Sequence, residues 1–172
     1  MNATHTFLPT LSLRHVVLIS GAISALSLIM ALIGQYGFDL HPCVLCIYQR
    51  IPFIFIVALS GLSLLLKHNR AHLGLAIMTG LAFIINAGIA FFHTGVERKW
   101  WEGLSSCGGE LPKNPTLEQL REAILNAPVA RCDEIPFELF GLSMANYNVL
   151  LCVFMAAFVL LYIKRNHLNV TI

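Results

Sequence analysis

The chain has 172 residues, of which 57% are hydrophobic and only 12% charged, a balance that excludes an ordinary soluble domain. A formal net charge of +2 gives no reason to expect nucleic acid or another polyanion as a partner. There are five cysteines, and the odd number leaves at least one thiol without a partner in the chain.

Taken in order, residues 1 to 13 are polar to mixed and read as disordered. The apolar run that follows is too long for the core of a secretory signal and lacks a small-residue cleavage site, so it reads as an anchored helix. Val16 to Tyr36 carries no formal charge and predicts a first transmembrane helix over 16–36, long enough for a core of ~30 Å. Its Gly21, Ala22, Ser24, Ala25 and Ser27 are small and would admit a close neighbour. A short loop, 37–46, contains Asp39, His41 and Pro42 and ends in Cys43-Val-Leu-Cys46. A second helix is predicted over 47–66, with Pro52 in its first two turns as a candidate kink. After the basic turn Lys67 to His72 comes a third, over 73–92. Its one strongly polar side chain, Asn86, is expected to make an interhelical hydrogen bond.

The loop 93–143 is the longest in the chain. Trp100 and Trp101 suit an aromatic belt. Cys107 precedes Gly108-Gly109, which is expected to leave its sulfur accessible. Thr116-Leu-Glu-Gln119 is a capping-box pattern, and Leu117, Leu120, Ile124 and Leu125 share one face. This predicts a short helix lying on the membrane surface, ended by Pro128. Cys132 follows, with Asp133 and Glu134 beside it. The fourth transmembrane helix is predicted over 146–163 and is closed by Lys164-Arg165. The expected fold class is therefore an all-α membrane protein: one domain, 1–172, built as a four-transmembrane-helix bundle with one long loop.

Charge gives the orientation. Arg14, Lys67, Arg70, Lys164 and Arg165 fall on one side of the predicted spans, whereas all nine carboxylates fall on the other. The positive-inside rule then places both termini in the cytoplasm. The Cys43–Cys46 stretch and the long loop face outward, in bacteria the periplasm, where disulfides persist.

The cysteines form two groups on that oxidising face, Cys43 with Cys46 and Cys107 with Cys132. Cys43 and Cys46 stand at the mouth of a helix, whose positive dipole end favours a thiolate. Arg50 lies four residues past Cys46, on the same face and about 6 Å deeper. A fixed cation there favours the thiolate further, and a low-pKa thiol beside lipid invites an apolar redox partner. Three readings stand side by side: two structural staples, a metal site ligated by all four cysteines, or a relay of exchangeable disulfides. A four-residue ring constrains almost nothing by chain entropy, which weakens the first for Cys43–Cys46. The second is disfavoured by the 25-residue separation of the other pair, with His41 and His93 not at ligand spacing, so no metal is expected. By itself Arg50 would be a snorkelling side chain, His93 an interfacial polar residue, and Cys152 an inert buried thiol. Phe91, Phe92, Trp100 and Trp101 read as interface anchors that a planar ring ligand could also use.

Several stretches together resemble the DsbB family. They are CVLCIYQR entering the second helix, His93-Thr near the end of the third, Trp101-x-Gly103 ahead of Cys107, and Cys132-Asp-Glu-Ile-Pro followed by Leu-Phe-Gly-Leu-Ser-Met. The resemblance implies a disulfide-generating membrane oxidoreductase of the bacterial inner membrane. Such an enzyme reoxidises a periplasmic DsbA-like thioredoxin-fold dithiol protein and passes the electrons to a membrane quinone, ubiquinone or menaquinone. It further implies catalytic roles for Cys43, Cys46, Cys107 and Cys132. Cys107 would be attacked by the partner's thiolate, releasing Cys132; Cys132 would then attack Cys43 and free Cys46 beside the quinone. Arg50 and His93 would bind the quinone, and Cys152 has no role in the family pattern. The resting oxidised protein is expected to hold Cys43–Cys46 and Cys107–Cys132 disulfides. Two alternatives remain at this level: a structural or binding tetraspan whose disulfides brace its loop, and another quinone-coupled dithiol enzyme of the vitamin-K-epoxide-reductase type.

Overall fold

Four apolar runs become four long helices: α1 (Leu13–Gly37), α2 (Val44–Leu65), α3 (Asn69–Glu97) and α4 (Met144–Val170). All four are long and apolar enough to cross a bilayer, as expected for a four-helix membrane bundle. The structure, a computed structural model, describes residues 11–104, 107, 116–118, 121 and 130–170. The predicted disordered start falls mostly outside these residues. Of the predicted surface helix, residues 117, 118 and 121 are helical, and the rest lies outside the described residues.

Successive helices run antiparallel, as their contacts show. Gly21 of α1 meets Ser60 of α2. His72 of α3 faces the Ser63 carbonyl of α2 at 3.3 Å, and Thr94 donates to Asn146 of α4 at 2.9 Å. The start of α1, the 66–68 turn and the end of α4 therefore lie at one end of the bundle. The 38–43 turn, the end of α3 and the start of α4 gather at the other.

In hydrocarbon the helices gain nothing from leaving the solvent, so close fit must hold them together. Gly21 shows how: a Cβ there would run into the Ser60 side chain, so the missing methyl lets α1 and α2 touch. The core behind it is made by Val16, Val17, Ile56, Phe83, Met155 and Val159, with Phe53 and Phe83 edge to face at 6.4 Å. Outward, Leu26, Ile29, Ile54, Leu81 and Phe154 are exposed as lipid-facing side chains should be. α2 continues through Pro52. Asn86 is fully buried, and its amide makes no hydrogen bond of ordinary geometry among the described residues, although it stands close enough to the Cys152 thiol of α4 to interact with it.

Two helix boundaries decide the site. α2 begins at Val44 instead of Ile47, which makes Cys43 its N-cap and puts Cys46 in its first turn. α3 continues past Phe92 to Glu97, so His93 and Glu97 lie one turn apart on the same face. A feature with no helical or strand periodicity to announce it precedes α4. It is an antiparallel hairpin, β1 (Glu138–Leu139) with β2 (Leu142–Ser143). Its two turn residues, Phe140 and Gly141, both have positive φ, at 52° and 76°, as a tight two-residue hairpin requires. The hairpin delivers Ser143 to the start of α4, where its Oγ accepts from the Asn146 N–H at 3.3 Å in the manner of an N-cap.

Candidate redox site

The site begins with Cys43 as a helix cap. Its sulfur accepts the backbone N–H of Cys46 at 3.4 Å and lies 3.2 Å from the Cys46 sulfur. Both are free thiols in this structure. A disulfide needs ~2.05 Å between sulfurs, so the pair is in contact but unbonded, which departs from the expected Cys43–Cys46 bond. The hydrogen bond with Cys46, then the one with His93, hold Cys43 below the ordinary thiol range despite its burial. Reading from the sequence alone places the favoured thiolate at Cys46; the cap geometry gives that position to Cys43.

His93 comes to this pair from α3. Its Nε2 is 3.5 Å from Cys43 Sγ and 3.7 Å from Glu97 Oε1. On the ring's other side, Gln49 Nε2 lies 2.8 Å from Nδ1, and Gln49 Oε1 accepts from Asn148 of α4 at 2.6 Å. Asn148 Oδ1 in turn accepts from the thiol of Cys152 at 3.3 Å. Glu97 receives a hydrogen bond from Ser143 Oγ. A buried polar chain therefore links α2, α3 and α4, and burial makes each link costly to leave unmade. Cys152, expected to be a mere small hydrophobe, is its last member.

Arg50 is half-buried on the cleft side of α2. Its Nη1 donates to Gln35 Oε1 of α1 at 2.8 Å, and among the described residues no hydrogen bond joins it to Cys46. Gln35 lies in the run read simply as apolar; a lone glutamine near a helix end was the available signal. Gln49 stands inside CVLCIYQR, and Glu97 lies beyond the predicted 73–92 helix, in the loop 93–143, whereas α3 in the structure continues to it.

Cys107 and Cys132 form a disulfide, with Cα atoms 5.1 Å apart. Contrary to the expected accessible sulfur, Cys107 is 3% exposed and Cys132 fully buried. The reason is packing: both join Cys43, Leu45 and Val96 in one buried cluster, and Gly103 allows the loop to lie close over Cys107. Gly108 and Gly109 lie outside the described residues. Beside Cys132, Arg131 bonds both carboxylate oxygens of Asp133, at 3.0 and 2.9 Å, which holds that carboxyl below the usual range. Trp101 stacks on Phe92 at 5.9 Å and 14°, donates to the Phe92 carbonyl at 3.0 Å, and occupies space that Gly95 leaves by lacking a Cβ.

A cleft of about 500 Å³ opens beside these groups. Ala31, Phe53 and Leu151 supply apolar walls, and Arg50, Gln49, His93 and Cys46 supply polar groups along it. Apolar walls with a few convergent polar atoms suit a planar, mostly apolar ligand carrying carbonyl acceptors.

Comparison with known proteins adds the family to which this bundle and its cysteines belong. The family model described as disulfide bond formation protein DsbB matches residues 13–162. The chain is 29% identical to the uncharacterized protein RP370 of Rickettsia prowazekii, covering 88% of this chain and 89% of that protein. It is 28% identical to disulfide bond formation protein B of Saccharophagus degradans, covering 83% and 87%. With disulfide bond formation protein B of Pasteurella multocida it shares 32% identity, covering 71% and 69%. No solved structure matches it. A four-helix membrane bundle with a cysteine pair capping its second helix, matched along nearly all its spanning length, makes this chain a member of the DsbB family of membrane disulfide-bond formation proteins.

Proposed function

We propose that this protein oxidises a DsbA-like periplasmic dithiol protein and passes the electrons to a membrane quinone, ubiquinone or menaquinone. It would do so from the bacterial inner membrane, with both termini cytoplasmic. The observation that carries the reading is the shared cluster: Cys107, Cys132 and Cys43 are buried together, while Cys46 also lines the cleft. Electrons can thus pass from the loop pair to the helix pair by exchange between neighbouring sulfurs, and the last pair borders the apolar cleft.

In the relay, a partner thiolate attacks Cys107 Sγ and the Cys107–Cys132 bond breaks, leaving Cys132 as a thiolate. The partner's second thiolate completes its own disulfide and releases Cys107. Cys132 attacks Cys43 Sγ of a Cys43–Cys46 disulfide, and Cys46 leaves as a thiolate. Cys107 then closes back on Cys132 and displaces Cys43, so the helix pair holds both electrons. Exchange runs fastest toward a leaving group that is stabilised as a thiolate, and the cap position supplies this for Cys43.

The cleft residues fit a quinone: a half-buried guanidinium, two amides and an imidazole converge within apolar walls. A bound quinone would supply an acceptor for two electrons and two protons. Arg50, steered by Gln35, would donate hydrogen bonds to a carbonyl oxygen and stabilise negative charge arising there. His93 Nε2 and Glu97 Oε1 are neighbouring proton sites beside Cys43. Gln49 fixes the imidazole plane. The test is oxidation of a reduced DsbA-like protein by the purified, quinone-stripped protein, with ubiquinone or menaquinone added back. Turnover should depend on added quinone and vanish in Cys46→Ser. Full turnover without quinone would overturn the reading.

A further inference from the structure

The geometry points to a second capacity of this site: in the reduced state, Cys43, Cys46 and His93 bind one thiophilic divalent cation of the Zn²⁺ class. The two sulfurs and an imidazole nitrogen all lie within 4.8 Å of one another. With Zn–S of about 2.3 Å and Zn–N of about 2.0 Å, a tetrahedral ion spaces its donors by about 3.8 Å between sulfurs and about 3.5 Å between sulfur and nitrogen. The pair stands at 3.2 Å, and Cys43 Sγ is 3.5 Å from His93 Nε2. Seating the ion asks the sulfurs to part by about half an ångström, and Cys46 Sγ and His93 Nε2, which lie within 4.8 Å of each other, to come to about 3.5 Å.

Three further features favour a site over a chance meeting of thiols. Two of the three donors, Cys43 and His93, are buried, so their rotamers are fixed by packing. The third, Cys46, borders the cleft, which leaves a way in and an open fourth position for water. The imidazole also has its outer support: Gln49 sits 2.8 Å from Nδ1 and is itself held by Asn148. For Nε2 to ligate, the ring carries its proton on Nδ1, and both amides turn together: Gln49 Oε1 accepts that proton, and Asn148 presents its oxygen to the Gln49 NH₂. Such support is what orients ligating histidines elsewhere.

The binding step takes both sulfurs as thiolates, releasing to solvent whatever thiol protons they still carry, and forms two metal–sulfur bonds and one metal–nitrogen bond with no change of oxidation state. A Cys43–Cys46 disulfide offers no thiolate, so binding is confined to the dithiol. The ion would therefore hold the pair reduced and out of any exchange. Sequence spacing could not show this site, because His93 lies fifty positions from Cys43 and reaches it only through the packing of α3 on α2.

The experiment uses the full chain with Cys107→Ser, Cys132→Ser and Cys152→Ser, so that only the helix pair carries thiols. After reduction and removal of reductant, Cd²⁺ alone is titrated in detergent and followed by thiolate-to-cadmium absorbance. One Cd²⁺ per chain is expected, with no signal once the pair is oxidised. Gln49→Leu should weaken affinity by about 10- to 100-fold, and His93→Ala by at least as much. Unchanged affinity in both variants would overturn the proposal, since the ion would then rest on the dithiol alone. Either variant suffices if the other does not fold. Neither quinone nor partner enters the measurement, so its failure leaves the proposed oxidase untouched, and failure of the oxidase leaves it standing.

Discussion

Removing the guanidinium at position 50 tests the cleft most directly. Arg50 is half-buried at the boundary of the spanning region, and its one hydrogen bond among the described residues runs to Gln35 at 2.8 Å. Its remaining N–H groups are free to serve a carbonyl oxygen in the cleft that it lines. A hydrogen bond from a charged donor contributes about 1.5–3 kcal/mol. At about 1.4 kcal/mol per tenfold change, Arg50→Ala should lower quinone-dependent turnover by about 10- to 150-fold. Arg50→Lys keeps the charge but offers no planar fork to reach Gln35 and the cleft together, so it should recover only part of the loss. Gln35→Leu leaves the cation in place and removes its anchor, so the effect should be smaller, about tenfold or less. The assay pairs quinone-dependent turnover with trapping of the mixed disulfide between Cys107 and the partner. All three variants should trap normally, because Cys107 packs with Val96 and Cys43 and not with Arg50. If Arg50→Ala turns over quinone like the wild type, the residue is an anchor at the lipid boundary and the electron acceptor binds elsewhere.

Four other outcomes can be measured. In reduced protein lacking Cys107, Cys132 and Cys152, one thiolate should persist well below the ordinary thiol pKa of about 8.5, because Cys43 is shifted down. A depressed folded pKa stabilises the fold above the ordinary value and loses that contribution as pH falls through the lowered one. Thiolate absorbance against pH reads this, and two thiols titrating near the ordinary value would refute it. Ser143→Ala removes the cap of α4 and the hydrogen bond to Glu97 and should destabilise by about 1–3 kcal/mol in detergent unfolding, with Ser143→Thr recovering part. Gly21→Leu drives a side chain into Ser60 and should cost about 1–3 kcal/mol by overpacking, whereas Gly61→Leu, which meets nothing within 4 Å, should be near neutral by the same melt. Reporter fusions after residues 69 and 110 should report opposite sides of the membrane; the same side for both would refute the proposed orientation.

What depends on short stretches of chain is legible in the residues alone. Four apolar runs dictate four spanning helices, since backbone polar groups in lipid must be satisfied within the segment. The C-x-x-C spacing puts Cys43 and Cys46 in contact whatever the remainder of the fold does, because a helix start brings those positions together. Which groups meet between helices was decided only by tertiary structure. Rotation and register of α1, α2, α3 and α4 are set by close packing, as where Gly21 admits Ser60, and neither is visible in hydrophobic runs that face lipid on most sides. That packing brings His93 to Cys43, Gln35 to Arg50 and Asn148 to Gln49. It also extends α3 to Glu97, where a hairpin without periodicity supplies Ser143 as partner. Burial of the Cys107–Cys132 disulfide has the same origin: local sequence shows a cysteine before two glycines, whereas exposure depends on the Val96 and Cys43 surfaces that the loop folds against.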